Sequence, residues 1–177
     1  REAILALRSL RDMLGGSHDS NVSVKWDGAP AIFAGTDPRD GRFFVAKKGI
    51  FNKYPKVYKN DADIDADTSG DLSTKLKLAL RYLPDLGIKG VIQGDFLFGP
   101  GDLKIRKIKG KSYLTFHPNT IVYAIPAGTD MAKQAQRTKI GIVWHTAYKG
   151  PTFETMKASY NFDASGLKPS KNVWSQD

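Results

Sequence analysis

Residues Val22 to Ala34 read VSVKWDGAPAIFA. Val22 and Val24 alternate with Ser23 and Lys25, Asp27-Gly28 supplies a tight turn, and Ala31-Ile32-Phe33 runs back. The pattern predicts two short strands joined as a hairpin. A lysine at a strand end beside a tight turn is held rigidly, with its amine projecting into the space the sheet borders. That amine is a nucleophile only when neutral, and desolvation or neighbouring cations favour the neutral form. Lys47, Lys48 and Lys53 follow in the next strand and loop and supply such cations, while Asp27 is placed to orient the amine or the turn.

Outward from this stretch, residues 1–14 carry Ile4, Leu7, Leu10 and Leu14 at helical spacing before Gly15-Gly16, which predicts an amphipathic helix. Phe43 to Lys48 reads as a strand, and Asn60 to Asp71 as an irregular acidic loop. The loop lacks the Gly and Glu of an EF-hand at its sixth and twelfth positions, counted from Asp61. Asp71 is the expected cap of a helix over 72–83, which Pro84 and Gly87 end. Strands are expected at 90–98, 103–109, 113–116, 121–125 and 140–146, with a short helix over 130–138. The sum is α+β, mostly antiparallel sheets flanked by a few helices. Residues 1–160 are expected to form one domain, and 161–177 a weakly patterned tail that starts a further C-terminal part.

The chain has 177 residues, 27 Lys+Arg against 18 Asp+Glu, and no Cys. Its length fits roughly one domain at about 150 residues each, large enough to bury a core without disulfides. The absence of Cys excludes disulfides, thiolate nucleophiles and Cys-ligated zinc. A net charge of +9 and a pI near 9.6 favour anionic partners. No window approaches the roughly 18 apolar residues of a membrane span, and Arg8 and Arg11 break any N-terminal signal pattern.

Lys25-Trp26-Asp27-Gly28 resembles the K-x-D-G motif of the covalent nucleotidyltransferases, the DNA ligases, RNA ligases and mRNA capping enzymes. Three downstream segments resemble later family motifs in the same order. Ala46-Lys47-Lys48-Gly49-Ile50-Phe51 is similar to the basic segment that contacts nucleotide sugar and phosphates. Val91-Ile92-Gln93-Gly94-Asp95-Phe96-Leu97-Phe98 is similar to the D-G-E-L strand, whose acidic residue serves ribose and metal. Ile140 to Thr146, IGIVWHT, is similar to the strand that brings an aromatic against the base. The chain also resembles uncharacterised ligase-like proteins of tailed phages, which would place it in the host cytoplasm.

The resemblance implies a ligase-type adenylation domain, active as a monomer on ATP with Mg²⁺. Lys25 is the expected nucleophile with Asp27 beside it, and Trp26, Gly28, Lys47, Lys48, Asp95, Trp144 and His145 are the expected nucleotide contacts. Asp95 is also the expected metal ligand. Neighbours on a strand point oppositely, so only one of Lys47 and Lys48 faces a pocket, and Lys48 is favoured by its place before Gly49. Ile142 shares the parity of Trp144 and Val143 that of His145, which leaves open which aromatic meets a base. Lys104, Arg106, Lys107 and Lys109 are the expected contacts to the phosphates of a DNA or RNA strand end. The alternatives are an RNA ligase or capping-type transferase, and a catalytically silent nucleic-acid-binding module of the same fold.

Overall fold

The structure is a computed structural model that describes residues 5–7, 21–22, 29–118 and 121–177. Two mainly antiparallel sheets organise it. In chain order the strands are β1 (Leu5–Leu7), β2 (Asn21–Val22), β3 (Ala31–Thr36), β4 (Phe43–Ala46), β5 (Val91–Phe98), β6 (Lys104–Ile108), β7 (Lys111–Phe116), β8 (Val122–Pro126), β9 (Ile140–Lys149), β10 (Lys157–Ser159) and β11 (Val173–Gln176). The helices are α1 (Asp61–Asp67), α2 (Gly70–Tyr82) and α3 (Asp130–Arg137). One sheet runs β2-β1-β8-β7-β6, and the other runs β10-β9-β5-β3-β4 with β11 added parallel to β9.

Strand alternation sends the two faces of the larger sheet into different cores. Ile32, Ile92, Phe96, Ile142 and Trp144 pack under Leu76, Ala79 and Leu83 of the helical layer. Leu97, Val143 and Trp174 look the other way, onto Leu114, Phe116, Tyr123 and Ile125 of the smaller sheet. Each such side chain, fully buried, contributes about 1.5–3 kcal/mol. The molecule is therefore helices on sheet on sheet, α+β in class as the sequence predicts.

Five local expectations are corrected. Residues 5–7, expected within a helix over 1–14, form β1 between β2 and β8, because pairing along two strands outweighs a helical spacing of apolar residues. Val22 to Ala34 is not a hairpin, since β2 pairs with β1 while β3 pairs with β4 and β5 in the other sheet. The acidic loop holds α1, capped where Asn60 Oδ1 accepts from the Asp63 amide at 2.8 Å. Asp61 and Asp63 sit in its first turn, where the helix dipole favours negative charge, and Ile64 anchors it in the core. Ser69, not Asp71, is the N-cap residue of α2. Finally, residues 161–177 are more than a tail, because Val173 and Trp174 of β11 are buried and pair with Ile140 and Gly141.

Candidate functional site

Asp95 sits mid-strand on β5, opposite Ala31 of β3 on one side and Val143 of β9 on the other. It shares its face with Gln93 and Leu97, the face turned toward the smaller sheet. The β5–β9 register then breaks: Gln93 lies opposite Thr146 but Gly94 lies opposite Trp144, so His145 is one extra residue on β9. Such a bulge re-aims a side chain. His145 Nε2 lies 3.6 Å from Asp95 Oδ1, and its Nδ1 lies 2.7 Å from Thr146 Oγ1. Gly94 makes the bulge possible, for a Cβ there would stand 2.4 Å from the Val143 carbonyl oxygen and 2.7 Å from the Trp144 ring.

The structure separates two residues that the sequence could not rank, Trp144 going with Ile142 and His145 lying on the side of Val143. Trp144 points into the helical layer, 1% exposed, with its Nε1 donating to Ser175 Oγ at 2.9 Å. No ring face is left to stack on a nucleotide, which corrects the expectation for Trp144. His145 is the residue on the Asp95 side, with 43% of its side chain exposed.

Aromatic side chains gather farther along the same face. Phe33 pairs in register with Gln93, and its ring centroid lies 5.9 Å from Phe51 and 5.7 Å from Tyr148. Phe51 and Tyr148 are 4.7 Å apart. Tyr148 Oη donates to Gln93 Oε1 at 2.8 Å. Phe51 is 42% exposed, a large apolar ring open to whatever enters beside it. Sequence reasoning did not single out Phe33, Phe51, Thr146 or Tyr148. Their aromatic or hydroxyl chemistry was readable, but their meeting on one face depends on strand order.

Lys47 and Lys48 lie past the end of β4 at Ala46, so the expected strand over 43–48 is shorter and strand alternation does not place them. Lys47 is drawn toward α1, with its ammonium 3.9 Å from Asp67, which also takes Lys56 at 3.4 Å. The Tyr58 hydroxyl donates to the same carboxylate. That bond, then Lys56 and Lys47, holds the Asp67 carboxyl below the usual range. Lys48 is exposed. The structure thus gives Lys47 a carboxylate partner on the helical side and leaves Lys48 as the cation of this pair on the surface.

The four basic residues of β6 and its turn do not form one patch. Lys104 and Arg106 pair with Thr115 and Tyr113, whereas Ile105 and Lys107 pair with Leu114 and Ser112. Leu114 belongs to the core between the sheets, so Ile105 and Lys107 lie on that side and Lys104 and Arg106 on the outer side. Lys104 and Arg106 line an outer cavity of about 210 Å³ together with His117 and Asp102. Lys109, with φ 51°, makes the left-handed turn to Gly110.

Lys25, Trp26, Asp27 and Gly28 lie outside the described residues. Among the described residues no three carboxylate or imidazole groups converge as a metal cluster, and no helix is long and apolar enough to cross a membrane. No curated protein and no solved structure matches the chain. A family of unknown function, DUF6267, matches residues 1–177, and the chain is a member of that family.

Proposed function

We propose that the protein is a nucleotidyltransferase of the polynucleotide-ligase type, forming a lysyl-AMP at Lys25. One observation carries this reading. The segments that resemble the family's later motifs are far apart in sequence, yet they run along or directly out of neighbouring strands of one sheet. Residues 46–51 leave the end of β4, Asp95 is on β5 and His145 on β9, in the order β9-β5-β3-β4. β3, the strand that follows K-x-D-G, begins beside Asp95. These segments carry residue types that a nucleotide site uses, a carboxylate, an imidazole, an exposed aromatic ring and a lysine, which supports the reading.

In the proposed reaction the Lys25 ammonium first loses a proton. Its nitrogen then attacks the α-phosphorus of ATP in line with departing pyrophosphate, so one P–N bond forms as one P–O bond breaks. A bound divalent ion, Mg²⁺ in the resembled family, would neutralise phosphate charge in the transition state, with Asp95 as its ligand. Phe51 offers a stacking surface for the base, and Lys48 a cation for phosphate oxygens. AMP then passes to the 5′-phosphate of a strand end, and a 3′-hydroxyl displaces it.

Incubation with α-labelled ATP and Mg²⁺, followed by denaturing electrophoresis, tests the reading. A label that survives denaturation and disappears in Lys25→Ala supports it, and GTP and NAD in parallel identify the donor. No label with any donor, alongside salt-sensitive DNA binding, overturns it in favour of a non-catalytic binding module. The exposure of Lys104, Arg106 and Lys107 on β6 is what would carry that second behaviour.

A further inference from the structure

We propose that a cavity at the edge of the larger sheet, bounded by β11, the end of α3 and residues 164–171, binds a compact polyanion of the phosphate type: pyrophosphate, or the clustered phosphates of a small molecule. The site stands apart from the Lys25 chemistry and does not depend on it.

β11 and β4 lie at opposite edges of that sheet, in the order β11-β9-β5-β3-β4. At about 4.8 Å per strand, the cavity is roughly 19 Å across the sheet from β4, where residues 46–51 leave. Its volume is about 510 Å³, inside the range of roughly 300–1,000 Å³ for small-molecule sites. Arg137, Lys168 and Lys171 line it, and no carboxylate does. None of these cations has an ion-pair partner among the described residues. Like charges around one concavity repel, and a dense anion between them removes that repulsion.

The loop that carries both lysines is pinned at each end. The Lys168 amide donates to the Leu86 carbonyl at 2.9 Å, and the Lys139 and Ile140 amides donate to the Asn172 carbonyl at 2.8 and 3.1 Å. Asp85 accepts from Ser170 Oγ at 3.0 Å and from Asn172 Nδ2 at 3.2 Å, so it anchors the loop through neutral groups instead of neutralising a lysine. Gly87, at φ 61°, leaves room for the Lys168 stem, for a Cβ there would stand 3.1 Å from Lys168 Cδ and Cε. The Lys168 ammonium is thereby carried on a supported stem. Trp174 forms part of the wall, 2% exposed, and its indole N–H is the one buried side-chain polar atom without a partner among the described residues. A buried donor without an acceptor is costly, and an oxyanion seated against this wall brings acceptors to it.

Convergence decides the ligand class. A polynucleotide backbone spaces its charges along a track, which calls for cations in a stripe. Three cations around one cavity instead match charge carried on one or two adjacent phosphorus atoms.

Pyrophosphate serves as the probe, titrated calorimetrically into the whole chain in phosphate-free buffer without divalent ions. Arg137→Gln, Lys168→Gln and Lys171→Gln should each weaken its Kd about tenfold, the loss of roughly one charge-assisted hydrogen bond. Lys111→Gln, the same charge change on β7 of the other sheet, should leave it unchanged. Amide shifts on binding should centre on residues 165–171, with the Trp174 indole N–H moving among them, and circular dichroism checks that the variants fold. Equal weakening by Lys111→Gln means diffuse charge, and shifts centred on β6 mean a different site. Either result overturns the proposal, as does the absence of pyrophosphate binding to the parent at millimolar concentration. An oligonucleotide without terminal phosphates that binds the same residues more tightly than pyrophosphate overturns it in favour of a backbone track.

Discussion

Gly94 lies opposite Trp144 across the β5–β9 pair, so close that a methyl group at Gly94 would meet both the Trp144 ring and the Val143 backbone. The backbone atom cannot step aside as a flexible side-chain end can. Gly94→Ala must push β9 away at the bulge, with an expected cost of about 1–3 kcal/mol. The denaturant midpoint should fall with the slope unchanged. The same shift should weaken the coupling of His145 to Asp95.

Trp144 is a core residue whose indole N–H is satisfied by Ser175. Trp144→Phe should lower stability by about 1–3 kcal/mol, from lost volume and one lost hydrogen bond. Below the melting transition it should leave nucleotide labelling intact. A selective loss of labelling in a stably folded Trp144→Phe protein would contradict the core assignment.

Phe51 presents the opposite case. Because its ring is half-exposed, Phe51→Ala should change the melting temperature little. If the ring stacks a base, nucleotide affinity should fall by about 1–3 kcal/mol, or roughly five- to hundred-fold in Kd. Titration calorimetry on variant and parent, with circular dichroism to check the fold, separates the two effects.

Asp37 is fully buried at the end of β3. Arg39 grips it through Nε at 3.0 Å and Nη2 at 2.8 Å, and Lys59 lies 2.8 Å away. Burial works to raise its pKa, but the hydrogen bonds from Arg39 and Lys59 outweigh burial and hold the carboxyl well below the usual range. A depressed folded-state pKa adds stability that is complete above the unfolded value of about 3.9 and is lost as pH falls toward the folded value. Asp37→Asn should therefore cost about 2 kcal/mol at neutral pH. The gap between parent and variant should close below about pH 4. Urea midpoints measured from pH 7 down to pH 2 check this.

The position of Lys107 on the side facing the other sheet separates it from Arg106 in a binding experiment. If a strand end docks on the exposed Lys107 side of β6, Lys107→Ala should weaken binding and lower the slope of log K against log salt by about 0.7–0.9. Arg106→Ala, on the outer side, should change the slope much less. Fluorescence anisotropy over a salt series reads both.

Local chemistry was legible from the chain alone. Val91 to Phe98 announces a strand buried on both faces, Asp130 to Arg137 a short helix, and Asp95 a carboxylate that needs a partner in such a strand. These follow from side-chain patterns within a few residues, where propensity and alternation act directly. Where Val22 and Ala31 pair, whether residues 173–176 join a sheet, and which of Trp144 and His145 meets Asp95 were decided only by the tertiary structure. Period-two alternation is reversed by a single extra residue, and the bulge at His145 arises from contact between β5 and β9, about 50 positions apart in the chain. Likewise α1 looks like a solvated loop until Ile64 finds the core. A sequence specifies which side chains exist and how neighbours alternate, but non-local strand pairing sets the register that turns them toward one another.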